Sequence, residues 1–111
     1  MFTGIVEGTG TVRSVVRRGD VLSVRIDVGG LFQGLPLGGS VAINGCCLTA
    51  VRSDAEGFDV ELTEETLRRT RFDERLRPGA AVNLERPMKA DGRFDGHIVQ
   101  GHVDGVGHVL E

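Results

Sequence analysis

The sequence predicts an all-β domain carrying one short helix, and three observations support that expectation. Apolar and polar residues alternate at period two in several short runs, turn dipeptides separate the runs, and glycine is frequent, at 17 of 111 residues. Successive side chains leave opposite sides of a strand, so such alternation marks strands with one buried face. A closed barrel removes the exposed edges such strands would present, and a two-sheet sandwich also satisfies the periodicity.

The first strand is expected within Ile5 to Val16, with Gly19-Asp20 as the following turn. Leu22, Val24, Ile26 and Val28 then alternate with Ser23, Arg25 and Asp27, the cleanest strand pattern in the chain. Gly29 to Gly39 holds five glycines and Pro36 around Leu31, Phe32, Leu35 and Leu37, and reads as connector with a short helical turn. Ser40 to Val51 reads as a strand pair or one bent strand, with Asn44-Gly45 as a tight turn or bulge. After a turn at Ser53 to Gly57, Phe58, Val60 and Leu62 alternate with Asp59 and Glu61.

A short helix is expected over Glu64 to Arg69. Thr63 suits the N-cap, Glu64 and Glu65 suit the positive end, and Arg68 and Arg69 suit the other. Pro78-Gly79 is a turn, and Val82 and Leu84 alternate with Asn83 and Glu85 until Pro87 ends the strand. Lys89 to Asp95 reads as a polar hairpin tip, and Ile98 to Leu110 as the closing strand or strands. The expected total is six or seven short strands.

Length and a hydrophobic content of 40% fit one globular domain with one core. All five aromatic residues are Phe, so the core must rest on Val, Leu and Ile. A net charge of -3 gives no electrostatic case for nucleic acid or an anionic membrane, and the sequence leads us to expect neither partner. The basic cluster Arg68, Arg69 and Arg71 is interleaved with Glu64, Glu65, Asp73 and Glu74, as on a solvated face. No long apolar span or signal-peptide pattern is visible, and a cytoplasmic protein is expected. The adjacent Cys46 and Cys47 should point to opposite sides, suiting neither a mutual disulfide nor a zinc pair, so reduced thiols and no metal are expected.

Five segments form a distinctive ordered set: Met1 to Glu7, Asn44 to Thr49, Glu65 to Leu67, Val82 to Arg86, and Gly96 to Gly105. Together they resemble the amino-terminal half of the riboflavin synthase family, across essentially the whole chain. The resemblance implies a closed six-stranded antiparallel Greek-key barrel, the first of two tandem barrels, with residues 1–111 as one lumazine-binding domain. It also implies dismutation of two 6,7-dimethyl-8-ribityllumazine molecules to riboflavin and 5-amino-6-ribitylaminouracil, without a separate cofactor or metal. Complete family enzymes are trimers whose active site lies between two barrels. Because the chain stops at Glu111, where the second barrel would begin, the expectation is a domain or fragment with weak or absent turnover. A native one-barrel protein that binds lumazine or flavin without catalysis is the alternative, and a homodimer is expected for the isolated domain.

The resemblance also implies the site. His102 is the expected proton-transfer residue, since imidazole exchanges protons near neutrality and the reaction deprotonates a substrate methyl group. Cys47 is expected to face the ligand, packing against the heterocycle or assisting proton movement. Thr49, two residues along the strand, should share its face. Thr3, Gly4 and Val6 are expected from the amino terminus, Thr66 at the pyrimidine-like end, Ser40 at the ribityl chain, and Val103 beside His102. His97 is expected to be structural and His108 exposed.

Overall fold

The computed structural model describes residues 2–28, 39–87 and 100–110. Strands β1 (Gly8–Arg18), β2 (Val21–Val28), β3 (Ser40–Ile43), β4 (Cys46–Ser53) and β5 (Gly57–Leu62) precede helices α1 (Glu64–Thr70) and α2 (Phe72–Arg75), and β6 (Ala81–Glu85) follows. The strands close in the order β1-β2-β5-β4-β3-β6, every pairing antiparallel. Closure decides between the two architectures the periodicity allows: the protein is a barrel.

Alternation in sequence becomes alternation in burial. Leu22, Val24 and Ile26 point inward beside Phe58, Val60 and Leu62, and Val12, Val41, Ile43, Leu48, Val82 and Leu84 complete the wall. With little aromatic volume available, shape matters: a Cβ at Gly10 would stand 2.8 Å from Ile26 Cγ2 and 2.9 Å from Leu84 Cδ1. A side chain there would force apart strands that are otherwise close-packed.

Asn44-Gly45 is a turn, with φ of 50° and 83°, the doubly left-handed conformation that matches hairpin twist. Asn44 also ties the hairpin to β6, its N–H donating to Asn83 O and its Oδ1 accepting from Asn83 N–H. Thr63 caps α1, its Oγ1 accepting from Thr66 N–H at 3.4 Å. Arg71, at φ 57°, ends α1 and starts the single turn of α2, which the sequence reading did not anticipate. Leu67, Phe72 and Leu76 join the barrel core, so the helical insert packs on the barrel interior.

Two boundaries need correction. The first strand starts at Gly8 rather than Ile5 and runs to Arg18: the N–H groups of Thr3, Gly4 and Ile5 bond side chains instead of a strand, and Glu7 N–H meets Leu84 O just before the strand begins. The closing strand expected within Ile98 to Leu110 is absent from residues 100–110. Barrel closure instead joins β6 to β1 and to β3. Gly101, at φ 80°, docks through one backbone bond, and Val109 and Leu110 are exposed. Nearly all of the Gly29–Gly39 connector, the Lys89–Asp95 tip, His97, Ile98 and Val99 lie outside the described residues.

Candidate ligand site

The β3–β4 register generates the site. Ala42 pairs with Cys47 and Ser40 with Thr49, while Ala42 also pairs with Glu85 on β6. Directly opposed residues share a face, so Glu85, Ala42 and Cys47 form one row across the outside of the barrel, with Ser40 and Thr49 in the next row. Cys46 and Leu48 point into the core, as alternation requires. Burial pushes the Cys46 thiol up to about 11, with the adjacent Cys47 adding to the effect, so Cys46 is an unreactive core residue.

Beyond Cys47, the start of β4 is not paired with β5, whose register with β4 begins at Ala50. Residue 101 occupies that vacant edge: Cys47 N–H donates to Gly101 O at 2.7 Å. The approach is close enough that a Cβ on Gly101 would lie 3.0 Å from Cys47 Cβ. From this anchor the chain runs through His102 and Val103 toward α1, where Arg69 Nη1 reaches Asp104 O at 3.5 Å.

The result is an open groove of about 360 Å³, floored by Cys46 and Cys47 and walled by Glu65, Thr66, Arg69 and Thr70 on α1 and by residues 101–104. That volume suits a small heterocyclic ligand, since such clefts span roughly 300–1,000 Å³. His102 is exposed at the groove, and Val103 packs partly against the core. Thr70 is engaged internally, donating to Thr66 O at 2.7 Å and accepting from Phe72 N–H. Thr66, by contrast, has only a 3.4 Å contact between its hydroxyl and Thr63 Oγ1. Its hydroxyl is the better placed of the two to bond a guest.

A smaller recess of about 60 Å³ adjoins the same row from the other side, lined by Phe2, Gly4, Val6, Ala42, Gly45, Asn83, Leu84 and Glu85. Thr3 N–H and Oγ1 both donate to Glu85 Oε2, at 2.7 and 2.9 Å, and Gly4 N–H donates to Glu85 Oε1 at 3.1 Å. The amide of Gly4, one of the residues expected at the ligand, is therefore already engaged. Val6 stays half exposed.

Of the expected site residues, the structure brings Cys47, Thr66, His102 and Val103 together in one groove. Gly4 and Val6 line the adjoining recess, beside Thr3. Ser40 and Thr49 stand opposite each other on the same outer face, one row away and outside the groove lining. His108 is exposed and lies elsewhere. Sequence reasoning missed Arg69, Thr70 and Glu85. The first two lie three and four residues after Thr66, the spacing that shares a helix face, and that signal would have found them. Among the described residues, no group of three or more His, Cys, Asp or Glu is placed to hold a metal ion, and no helix is long and apolar enough to cross a membrane.

A closed six-stranded antiparallel barrel with a helical insert before its last strand, and a polar-lipped groove on its outer face, defines a small-ligand barrel class. The lumazine binding domain family matches residues 3–87. The chain is 42% identical over 111 residues to riboflavin synthase of Actinobacillus pleuropneumoniae, covering 100% of this chain and 51% of that protein. It is 43% identical over 113 residues to riboflavin synthase of Mycobacterium bovis, covering 99% of this chain and 55% of that one. The solved structure of LumP complexed with riboflavin superposes with a TM-score of 0.83 at 28% identity, over 95% of this chain and 56% of LumP. LumP complexed with 6,7-dimethyl-8-(1'-D-ribityl) lumazine gives 0.72 at 29% identity, with the same coverage. The chain belongs to the lumazine binding domain family and is related to the riboflavin synthases. It spans about half the length of the riboflavin synthases it matches.

Proposed function

We propose that this chain binds one 6,7-dimethyl-8-ribityllumazine or riboflavin molecule noncovalently in the groove between β4, α1 and residues 101–104. The observation that carries the reading is the convergence of Cys47, Thr66, His102 and Val103, from three separate parts of the chain, on one cleft. LumP, whose barrel this one superposes on, is solved with riboflavin, with the lumazine and with flavin mononucleotide. A flat heterocycle needs an apolar slot with a few polar partners. Cys47 and Val103 supply the slot, the Thr66 hydroxyl bonds the pyrimidine-like edge, and His102 stands at the opening. Ser40 and Thr49, one row along, serve the ribityl hydroxyls, with Thr3, Gly4 and Val6 closing the amino-terminal side.

A second reading is supported by the 42% identity to the riboflavin synthases over about half of their length. In that reading the domain is one half of a dismutase, and His102 and Cys47 assist proton transfer from the lumazine methyl group. The reaction consumes two lumazines, and one barrel offers one seat, so turnover depends on a second barrel holding its substrate in contact. Self-association of this chain into a homodimer would bring two equivalent seats together but not the side chains of a second barrel. A complete two-barrel enzyme would form the family's trimer.

Titration with 6,7-dimethyl-8-ribityllumazine, following ligand fluorescence and riboflavin formation separately, tests the reading. Saturable binding with turnover absent or slow is expected. No saturable binding contradicts the proposed function, and rapid riboflavin formation by this chain alone contradicts the dependence of turnover on a second barrel.

A further inference from the structure

Glu85 is buried, yet it is a carboxylate on the outer face of a barrel strand. Burying such a group is costly unless several donors satisfy it. Here three donors do, all from the amino-terminal segment: Thr3 N–H, Thr3 Oγ1 and Gly4 N–H, across a sequence separation of 81 to 82 residues. Thr3 Oγ1 in turn accepts from Ile5 N–H at 3.1 Å. The residue just past the end of β6 fixes the far end of the segment, because Arg86 N–H donates to Glu7 Oε1 at 2.6 Å and Arg86 Nη2 to Glu7 Oε2 at 2.9 Å. Two consecutive residues, the last of β6 and the one after it, thus hold residues 3 and 7, and Ile5 and Val6 stand outward between them, 44% and 52% exposed.

The position of this clamp matters as much as its strength. Glu85 pairs with Ala42, and Ala42 pairs with Cys47. Two strand spacings separate the carboxylate from the floor of the groove, about 10 Å. The amino-terminal segment held by Glu85 therefore lies on the opposite side of the Ala42–Cys47 pair from residues 101–104.

We propose that Glu85 is a positioning residue for ligand binding, its carboxylate setting Thr3 and Gly4 so that the amino-terminal segment forms a preorganised wall of the lumazine seat. The role rests on the proposed lumazine-binding function. Preorganisation raises affinity by removing the ordering cost a loose segment would impose on each binding event. Glu85→Gln preserves volume but offers one acceptor oxygen and turns an amide N–H2 toward a donor. Thr3→Val removes one donor from the other side of the clamp at a partly exposed position and leaves the barrel wall intact.

The experiment measures lumazine affinity for the unsubstituted chain, Glu85→Gln, Thr3→Val and the double variant, with thermal unfolding recorded for each. Amide hydrogen exchange at Thr3 and Gly4 is followed without ligand. Glu85→Gln should weaken binding about tenfold, the scale of a charge-assisted bond lost at a buried group. It should also speed exchange at Thr3 and Gly4. The double variant should bind no more weakly than Glu85→Gln alone, because both changes break one clamp. A carboxylate serving fold stability alone would lower the melting temperature and leave affinity in the still-folded variants unchanged. If Glu85→Gln does not fold, Thr3→Val alone decides, a loss of affinity with faster Gly4 exchange supporting the role and unchanged affinity overturning it. Unaltered affinity in both single variants, with the unsubstituted chain binding, overturns the positioning role only. An unsubstituted chain that does not bind overturns the proposed function and this role with it.

Discussion

Two faces of the same barrel use their polar groups differently. On the face of β1, β2, β5 and β4, charges are matched internally: Arg25, only 12% exposed, is bonded to Asp54 and lies near Asp27 and Asp59. Asp59 also takes Arg52, and Arg13 bridges Asp27 and Glu56. On the face of β6, β3 and β4 and in the groove beside it, Glu85, Arg69 and Thr70 are engaged, whereas the groups proposed to meet the ligand stay open. Among the described residues, neither His102 nor Thr49 has a hydrogen-bonding side-chain partner, and Thr66 has only its long contact to Thr63. A surface whose groups satisfy one another contributes stability, whereas one that leaves donors and acceptors open is prepared for a guest.

Substitutions should separate the two faces. The largest effect belongs to neither, because both depend on the shared core: Phe58→Ala, at a fully buried position, should cost about 3–5 kcal/mol in urea unfolding. Next, Arg25→Met should lower stability by about 1–3 kcal/mol, removing hydrogen bonds to charged partners, while lumazine affinity stays unchanged. A loss of affinity there would break the proposed division of labour. Smaller still, His102→Ala and Thr49→Ala should each weaken lumazine binding about three- to tenfold with little change in stability, and His108→Ala should do nothing. Equal affinity for all four proteins would remove His102 and Thr49 from the site.

The smallest effect concerns pH. The Arg25 hydrogen bond, then the Glu56 amide, lowers the Asp54 carboxyl to about 2 from 3.8. A carboxyl depressed in the folded state adds stability above its unfolded value and loses it as pH falls through the folded one. Acid titration should therefore show a loss between about pH 4 and pH 2 that is reduced in Asp54→Asn. An unchanged acid profile would mean Arg25 holds its partners without favouring their ionised forms.

Local features were legible from sequence because their causes are local. Asn44-Gly45 specified the turn, Thr63 the cap, and strict alternation the opposite burial of Cys46 and Cys47. Alternation together with the family resemblance also placed Cys47, Thr66, His102 and Val103 near one another. What escaped depends on pairings far apart in the chain. Nothing near Ile98 signals that β1 and β6 already close the barrel, so a Val- and Ile-bearing tail read as a strand. Glu85 followed the period-two pattern as an ordinary outward residue, and only the returning amino terminus, more than eighty positions away, buries it.

The central claim is that the lumazine seat is the groove of Cys47, Thr66, His102 and Val103. Amide chemical-shift mapping of the isotope-labelled chain during titration with 6,7-dimethyl-8-ribityllumazine tests it most directly. Shifts should concentrate at Cys47, Thr66, His102 and Val103 and extend to Gly4 and Val6, leaving Arg25, Arg52 and Asp54 unmoved. Saturable shifts centred on Arg25, Arg52 and Asp54, with the groove silent, would contradict the account.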